Sequence, residues 1–203
     1  YYPEDWDDSE IDYDIRMMQE AGINCARIGE FAWHKMEPAL GQYDFRWLHR
    51  VVDKLNEAGI AVVMGTPTAT PPIWLSRMYP DVLMENENGR RASHGGRRHC
   101  CSNNAHYRAY SAKIVEAMAQ EFGCDPAIIG WQIDNEIYAF GGGCFCPNCR
   151  GRFAEHLRAR FGTIDNLNAK WNLNLFSQAY DSFEEVVAPR DAWHNPHLRM
   201  EWY

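Results

Sequence analysis

No stretch of this 203-residue chain approaches the roughly 20 consecutive apolar residues that a membrane-spanning helix needs. The N-terminus also lacks the basic stretch followed by an apolar one that marks a signal peptide, although a start at Tyr1 rather than Met leaves room for a lost leader. Positive charge is short: 20 Lys and Arg stand against 28 Asp and Glu, a formal net charge of -8. Phosphate binding draws on clustered Lys and Arg, so nucleic acid and anionic membrane are excluded as partners. Cysteine lacks the even count of a disulfide framework. There are seven, three of them packed between Cys144 and Cys149, which suits a metal cluster better. What remains is a soluble globular protein, expected in the cytoplasm. Its 46% hydrophobic content supports one substantial core, and its eight Trp offer flat faces suited to a core or to the C–H faces of sugars.

Helical and strand periods alternate along the chain. Asp8 and Ser9 offer N-caps to a helix whose residues Ile11, Ile15 and Met18 share one face, and Gly22 stops it. Residues 23–28 form a strand-like run, 44–58 repeat the helical pattern through Leu48, Val52 and Leu55, and 60–65 are strand-like again. The joints Glu20-Ala21-Gly22-Ile23 and Glu57-Ala58-Gly59-Ile60 nearly repeat, with their glycines 37 residues apart. A helix, a glycine stop and a buried strand recurring in this way are the βα unit of a parallel sheet. A third helix is expected over 104–122, with Tyr107, Ser111, Ile114, Met118 and Phe122 on one face, followed by a buried strand over 128–133. Between them, 66–103 carry Pro67, Pro71, Pro72 and Pro80 and read as a functional loop region too long for a plain connection. A helix through Phe153, Leu157 and Phe161 follows the cysteines, and 171–203 read as irregular with short helices. About four units are expected, against about 250 residues for a complete eight-unit barrel. The fold is therefore α/β, either an open sheet or the first half of a barrel.

Chemistry concentrates at Trp131-Gln132-Ile133-Asp134-Asn135-Glu136, where an apolar strand ends in three polar residues. In a parallel barrel the C-terminal strand ends form the active site. Glycoside hydrolysis needs a carboxylic acid that protonates the leaving oxygen, and an apolar wall such as Trp131 or Ile133 would help to raise its pKa. Glu136 fits that role, although acidic residues here could simply cap the next loop. Cys144-x-Cys146-x-x-Cys149 lets three thiolates reach one tetrahedral metal from a single loop while a fourth arrives from elsewhere. Cys25 and Cys124 are expected to be buried, inert thiols. Glu30 could line a pocket or pair with Arg27 or Arg97. His34, His49 and His156 belong to no motif and read as surface or partly buried.

Tyr1-Tyr2-Pro3-Glu4, Arg27-Ile28-Gly29-Glu30-Phe31-Ala32-Trp33, Gly65-Thr66-Pro67-Thr68-Ala69-Thr70-Pro71-Pro72, Arg97-Arg98-His99 and the strand ending Asn135-Glu136 occur in one order. Together they resemble the glycoside hydrolase family 42 β-galactosidases from Tyr1 to about Pro196. The resemblance implies a (β/α)8 TIM barrel of which this chain holds the N-terminal half. Residues 1–203 would form part of the catalytic domain, with a zinc-binding loop excursion over 137–162 after the fourth strand. It implies retaining hydrolysis of terminal β-D-galactosides, with the nucleophile on a later strand. Glu136 would be the acid/base, Asn135 would hold the sugar 2-hydroxyl, and Arg97 would grip the same sugar. Phe176 stands where the family usually places a Trp beside the subsite, so stacking survives there and the indole N–H does not. Cys101 matches the fourth ligand, with Cys100 and His99 as less fitting substitutes, beside Cys144, Cys146 and Cys149. One structural zinc per chain, no catalytic cofactor, a β-galactoside substrate and a homotrimer complete the implication. Rival readings are a glycosidase of the same clan acting on arabinosides, glucosides or mannosides, and a zinc-knuckle binding module. The module would have no use for Asn135-Glu136.

Overall fold

The computed structural model describes residues 1–137, 143–190 and 194–203. Three strands, β1 (Cys25–Ile28), β2 (Ala61–Gly65) and β3 (Ile128–Gln132), pair in parallel in the order β1-β2-β3, with Cys25 opposite Ala61 and Gly65 opposite Gln132. Among the described residues that is one strand fewer than the four units expected, and the cysteines Cys144, Cys146 and Cys149 follow the third strand. Gly141 and Gly142, part of the expected excursion over 137–162, lie outside the described residues.

Helices α1 (Ile11–Glu20), α2 (Trp33–Met36), α3 (Arg46–Glu57), α4 (Ile73–Met78) and α5 (Ala105–Phe122) precede β3. The repeated joints are structural as well as verbal. Ile23 N–H donates to Met18 O and Ile60 N–H to Leu55 O, both at 2.9 Å, closing the same six-residue turn at the ends of α1 and α3. Gly22 and Gly59 adopt φ of 73° and 74°, a left-handed conformation that a Cβ would strain. The start of α1 differs from expectation: Asp8–Glu10 form a 3-10 turn, and Asp7, not Asp8 or Ser9, accepts from the Ser9 N–H at 2.9 Å. Asn104 caps α5 by accepting from the His106 and Tyr107 N–H groups.

One face of the sheet is closed by α1, α3 and α5. Ile11, Ile15, Leu48, Val52, Leu55, Ile114, Met118 and Phe122 bury against Ile28, Val62 and Met64. Each such side chain contributes roughly 1.5–3 kcal/mol of transfer free energy, so this shared face holds the strands in register. Cys25 alternates away from that face and is exposed, and Cys124 is exposed in the turn after α5, so neither is the buried thiol expected. The strand ending at Gln132 is not buried throughout either: Ile129 is 65% exposed and Ile133 70%, because among the described residues β3 has a paired neighbour on one side only.

The proline-rich stretch over 66–103 contains α4 and two 3-10 turns, Pro67–Ala69 and Pro80–Val82. Here proline starts structure: a first-turn residue needs no N–H partner, and the fixed φ of proline is already helical. A second core lies further along, where Phe153 and Leu157 of α6 (Pro147–Phe161), Leu167 and Trp171 of α7 (Ile164–Trp171) and Leu198 of α8 (Pro196–Trp202) pack with Phe183. Helix α7 was not expected over its own span. Its Thr163 cap and its left-handed Asn172 end (φ 56°) are signals that periodicity alone passes over. No helix among the described residues is long and apolar enough to cross a membrane.

Candidate active site and metal centre

The C-terminal ends of β2 and β3 are stitched together beyond their last ladder pairs. Thr66 N–H donates to Gln132 O at 2.9 Å, and Asp134 N–H donates to Thr66 Oγ1 at 2.7 Å. Gln132 Nε2 donates to Asp134 O at 2.9 Å and to Asn135 Oδ1 at 3.2 Å, which orients the buried Asn135 amide. Across the opening, Arg97 Nη1 lies 3.2 Å from Glu136 Oε2, with the two side chains 40% and 51% exposed. The Arg97 guanidinium also sits 5.4 Å from the centre of the Phe31 ring. Of the two residues expected to wall Glu136, Ile133 faces solvent while Trp131 is partly buried against the core, and the carboxylate meets a cation.

Glu30, just after β1, is fully buried, and of the partners expected for it Arg27 is the one it takes, through Nε to Oε1 at 2.8 Å. The fit is tight: a Cβ on Gly65 would lie 2.6 Å from Glu30 Cβ. Glu30 Oε2 and both carboxyl oxygens of Glu4 are buried without a hydrogen-bond partner among the described residues. Burial, helped by the nearby Asp5 and Glu30 charges, pushes Glu4 up to about 7. A folded pKa above the ordinary carboxyl value means the folded protein holds this proton more tightly than the unfolded chain. The resulting stability is full below about 4.5, declines as pH rises, and is gone above about 7. Relative to Glu4→Gln, the unaltered protein should lose thermal stability steadily across that window. Parallel Tm-versus-pH curves for the two would show that Glu4 titrates normally.

The structure gathers Arg97, Asn135 and Glu136. Phe176 stands apart in the contacts it makes: it occupies the exposed turn Leu175–Ser177 with φ 56°, and its ring packs 5.1 Å from that of His194. Sequence reasoning passed over Thr66, Arg98 and Asp134. Arg98 Nη1 donates to Asn135 O at 2.7 Å and lies 3.2 Å from Asp134 Oδ2. The available signal was adjacency, since Arg98 follows Arg97 and Asp134 precedes Asn135.

The sulfurs of Cys101, Cys144, Cys146 and Cys149 all lie within 4.8 Å of one another. Cys101 Sγ is 3.4 Å from Cys149 Sγ and 3.6 Å from Cys146 Sγ. A tetrahedral ion at about 2.3 Å from each thiolate would place sulfurs about 3.8 Å apart, so the group could hold a metal ion. Three of the four come from the start of α6 and the loop before it, and Cys101 comes from the end of the long loop before α5. Polar hydrogens already point inward: Asn103 Nδ2 donates to Cys149 Sγ and Glu85 N–H to Cys144 Sγ, each at 3.4 Å. Hydrogen bonds from Cys101 and Cys149 hold Cys144 down to about 2, while the Cys101 thiol is pushed far up by its bonds to Cys144 and Cys149 and by burial. Cys100, the alternative fourth ligand, stands outside the group, a buried thiol pushed up to about 12 by desolvation. His99 Nδ1 is instead engaged with Gly96 O at 2.8 Å.

Known proteins resemble this chain in both sequence and fold. The profile of glycoside hydrolase family 42, described as Beta-galactosidase, matches residues 1–203. Beta-galactosidase YesZ of Bacillus licheniformis is 43% identical over 201 residues, which are 98% of this chain and 30% of that protein. A crystal structure of β-galactosidase from the psychrophilic Marinomonas ef1 superposes with a TM-score of 0.92 at 35% identity, over all of this chain and 31% of that one. A catalytic glutamate-to-alanine mutant of Gan42B, a family 42 β-galactosidase from G. stearothermophilus, gives 0.90 at 32% identity, again over all of this chain and 30% of that one. The chain therefore spans about 30% of the length of the curated relatives it matches, and corresponds to the N-terminal portion of their barrel.

Proposed function

The chain belongs to glycoside hydrolase family 42, and on that premise we propose that it supplies the acid/base half of a retaining β-galactosidase active site, with residues 1–203 forming part of one catalytic domain. The observation that carries the reading is the placement of Glu136 at the end of β3, 3.2 Å from Arg97. In a retaining mechanism two carboxyl groups about 5 to 5.5 Å apart share the work. Glu136 donates its proton to the glycosidic oxygen as the bond to the aglycone breaks and a second carboxylate, outside this chain, attacks the anomeric carbon. It then removes a proton from the water that releases the sugar. Arg97 also binds substrate, because its guanidinium presents paired donors that suit vicinal sugar hydroxyls. Asn135, with its Oδ1 engaged by Gln132, keeps its amide N–H groups for the 2-hydroxyl of the glycone. Phe176 would offer a stacking face to the sugar. The relatives are β-galactosidases, which carries β-galactoside to this chain as the substrate, while its own residues support a glycoside.

The four-cysteine group would hold zinc, and with four thiolates it leaves no position for water, so the ion would brace the loop rather than react.

The test is to express residues 1–203 alone and beside them the gene product extended to the relatives' length. Chromogenic β-galactoside, β-glucoside, β-mannoside and arabinoside should be offered to both. The extended form should turn over the galactoside fastest. The short form should show no turnover, because without the second carboxylate no glycosyl-enzyme can form. Turnover by the short form, abolished by Glu136→Gln, would place the nucleophile within this chain, with Glu30 the first suspect.

A further inference from the structure

Glu136 is placed by a stretch of backbone that ordinary residues avoid. Arg98, Asp134 and Glu136 adopt φ of 55°, 57° and 44°, in the left-handed region where a Cβ is crowded, and none is glycine. Such conformations persist where the surroundings over-determine them, and they cluster at functional sites. Arg98 is held in place by its own backbone, whose N–H donates to Ala69 O at 2.7 Å. Its guanidinium then crosses to β3, donating to Asn135 O at 2.7 Å and meeting Asp134 Oδ2 at 3.2 Å, with both side chains about one-fifth exposed. The other Asp134 oxygen accepts from the Asn135 N–H at 2.7 Å, and the Asp134 N–H is tied to Thr66 Oγ1. Adjacent arginines thus grip adjacent residues: Arg97 reaches the Glu136 side chain while Arg98 reaches the backbone and carboxylate just before it.

We propose that Arg98 and Asp134 are a positioning pair for the acid/base, fixing the turn from which Glu136 projects and neutralising a carboxylate two residues away from it. The inference rests on the reading of Glu136 as acid/base. The charged and titratable groups closest to this cluster are Arg97, Arg98 and Cys100 from the loop before α5, Tyr107 from α5, and Asp134 and Glu136 themselves, while Cys144, Cys149, Arg152 and His156 from α6 and the loop before it and Glu201 from α8 line the same cavity further out. Arg98 is the cation directly on Asp134. Its loss leaves an uncompensated anion, about one-fifth exposed, two residues from Glu136, which favours the protonated acid. The loss of Asp134 leaves a cation there, which favours the carboxylate.

The experiment measures kcat and KM against pH for Arg98→Met, Asp134→Asn and the double variant in the full-length enzyme, on a β-galactoside whose poor leaving group needs the proton, an alkyl or sugar aglycone. The alkaline limb of kcat/KM should move up in Arg98→Met, down in Asp134→Asn, and return near the parent position in the double variant. In Arg98→Met kcat should fall by about tenfold to a hundredfold while KM changes much less, as expected of a misplaced group rather than a lost sugar contact. Asp134→Asn is nearly isosteric and keeps the test open should Arg98→Met fail to fold. An unmoved limb in both single variants, with Glu136→Gln inactive, overturns the pair while leaving the acid/base reading intact. Full activity in Glu136→Gln overturns that reading, and the inference with it.

Discussion

Glu136→Gln in the full-length enzyme should lower kcat/KM by about 10²- to 10⁴-fold on galactosides with poor leaving groups, the range that a positioned proton donor supplies. Activated aryl galactosides, whose leaving groups need no proton, should lose much less in the glycosylation step. The fold should survive, because Glu136 is half exposed and its ion-pair partner is the similarly accessible Arg97. Steady-state kinetics on a leaving-group series, with circular dichroism as a control, give the reading. Equal losses across the series would remove the acid role from Glu136 even if activity fell.

Stripping metal from the cysteine group, or replacing Cys101 with Ser, should cost stability far more than turnover at moderate temperature. Cys101 is almost fully buried and lies between the other sulfurs, so its loss leaves three crowded thiols and a gap. An effect on the order of 3 kcal/mol corresponds to about 6–12 °C in Tm for a chain of this length. The loop has much to lose. Phe145, between the cysteines, stacks on Trp202 of α8 at 5.4 Å, and its N–H donates to Glu85 O at 2.7 Å. Elemental analysis should find about one zinc per chain, and differential scanning calorimetry with and without a chelator should show the Tm shift. A metal-free protein with an unchanged Tm would end the structural role.

Much of this was legible because local signals agreed. Gly22 and Gly59 announced two equivalent helix ends, and both adopt the left-handed turn that a glycine at that place permits. Leu48, Val52 and Leu55 shared a helical face in the sequence and are completely buried together. The polar end of an apolar strand at Asp134-Asn135-Glu136, and the spacing of Cys144, Cys146 and Cys149, likewise depend on residue type and near-neighbour position, which a sequence carries in full.

What the chain order could not express was which distant segments would meet. Cys25, on an apolar-looking strand, is exposed because alternate β1 residues face away from the helices, and only the sheet's one-sided cover decides which set that is. Ile129 and Ile133 read as core but face solvent, since burial of a strand belongs to its neighbours and, among the described residues, β3 has β2 alone. Arg97 and Arg98 looked alike in sequence. A loop that brings them within 3.2 Å of Glu136 and of Asp134, residues more than thirty positions away, gives each a different partner, and that division was decided by tertiary structure because hydrogen bonds and ion pairs depend on distance in space.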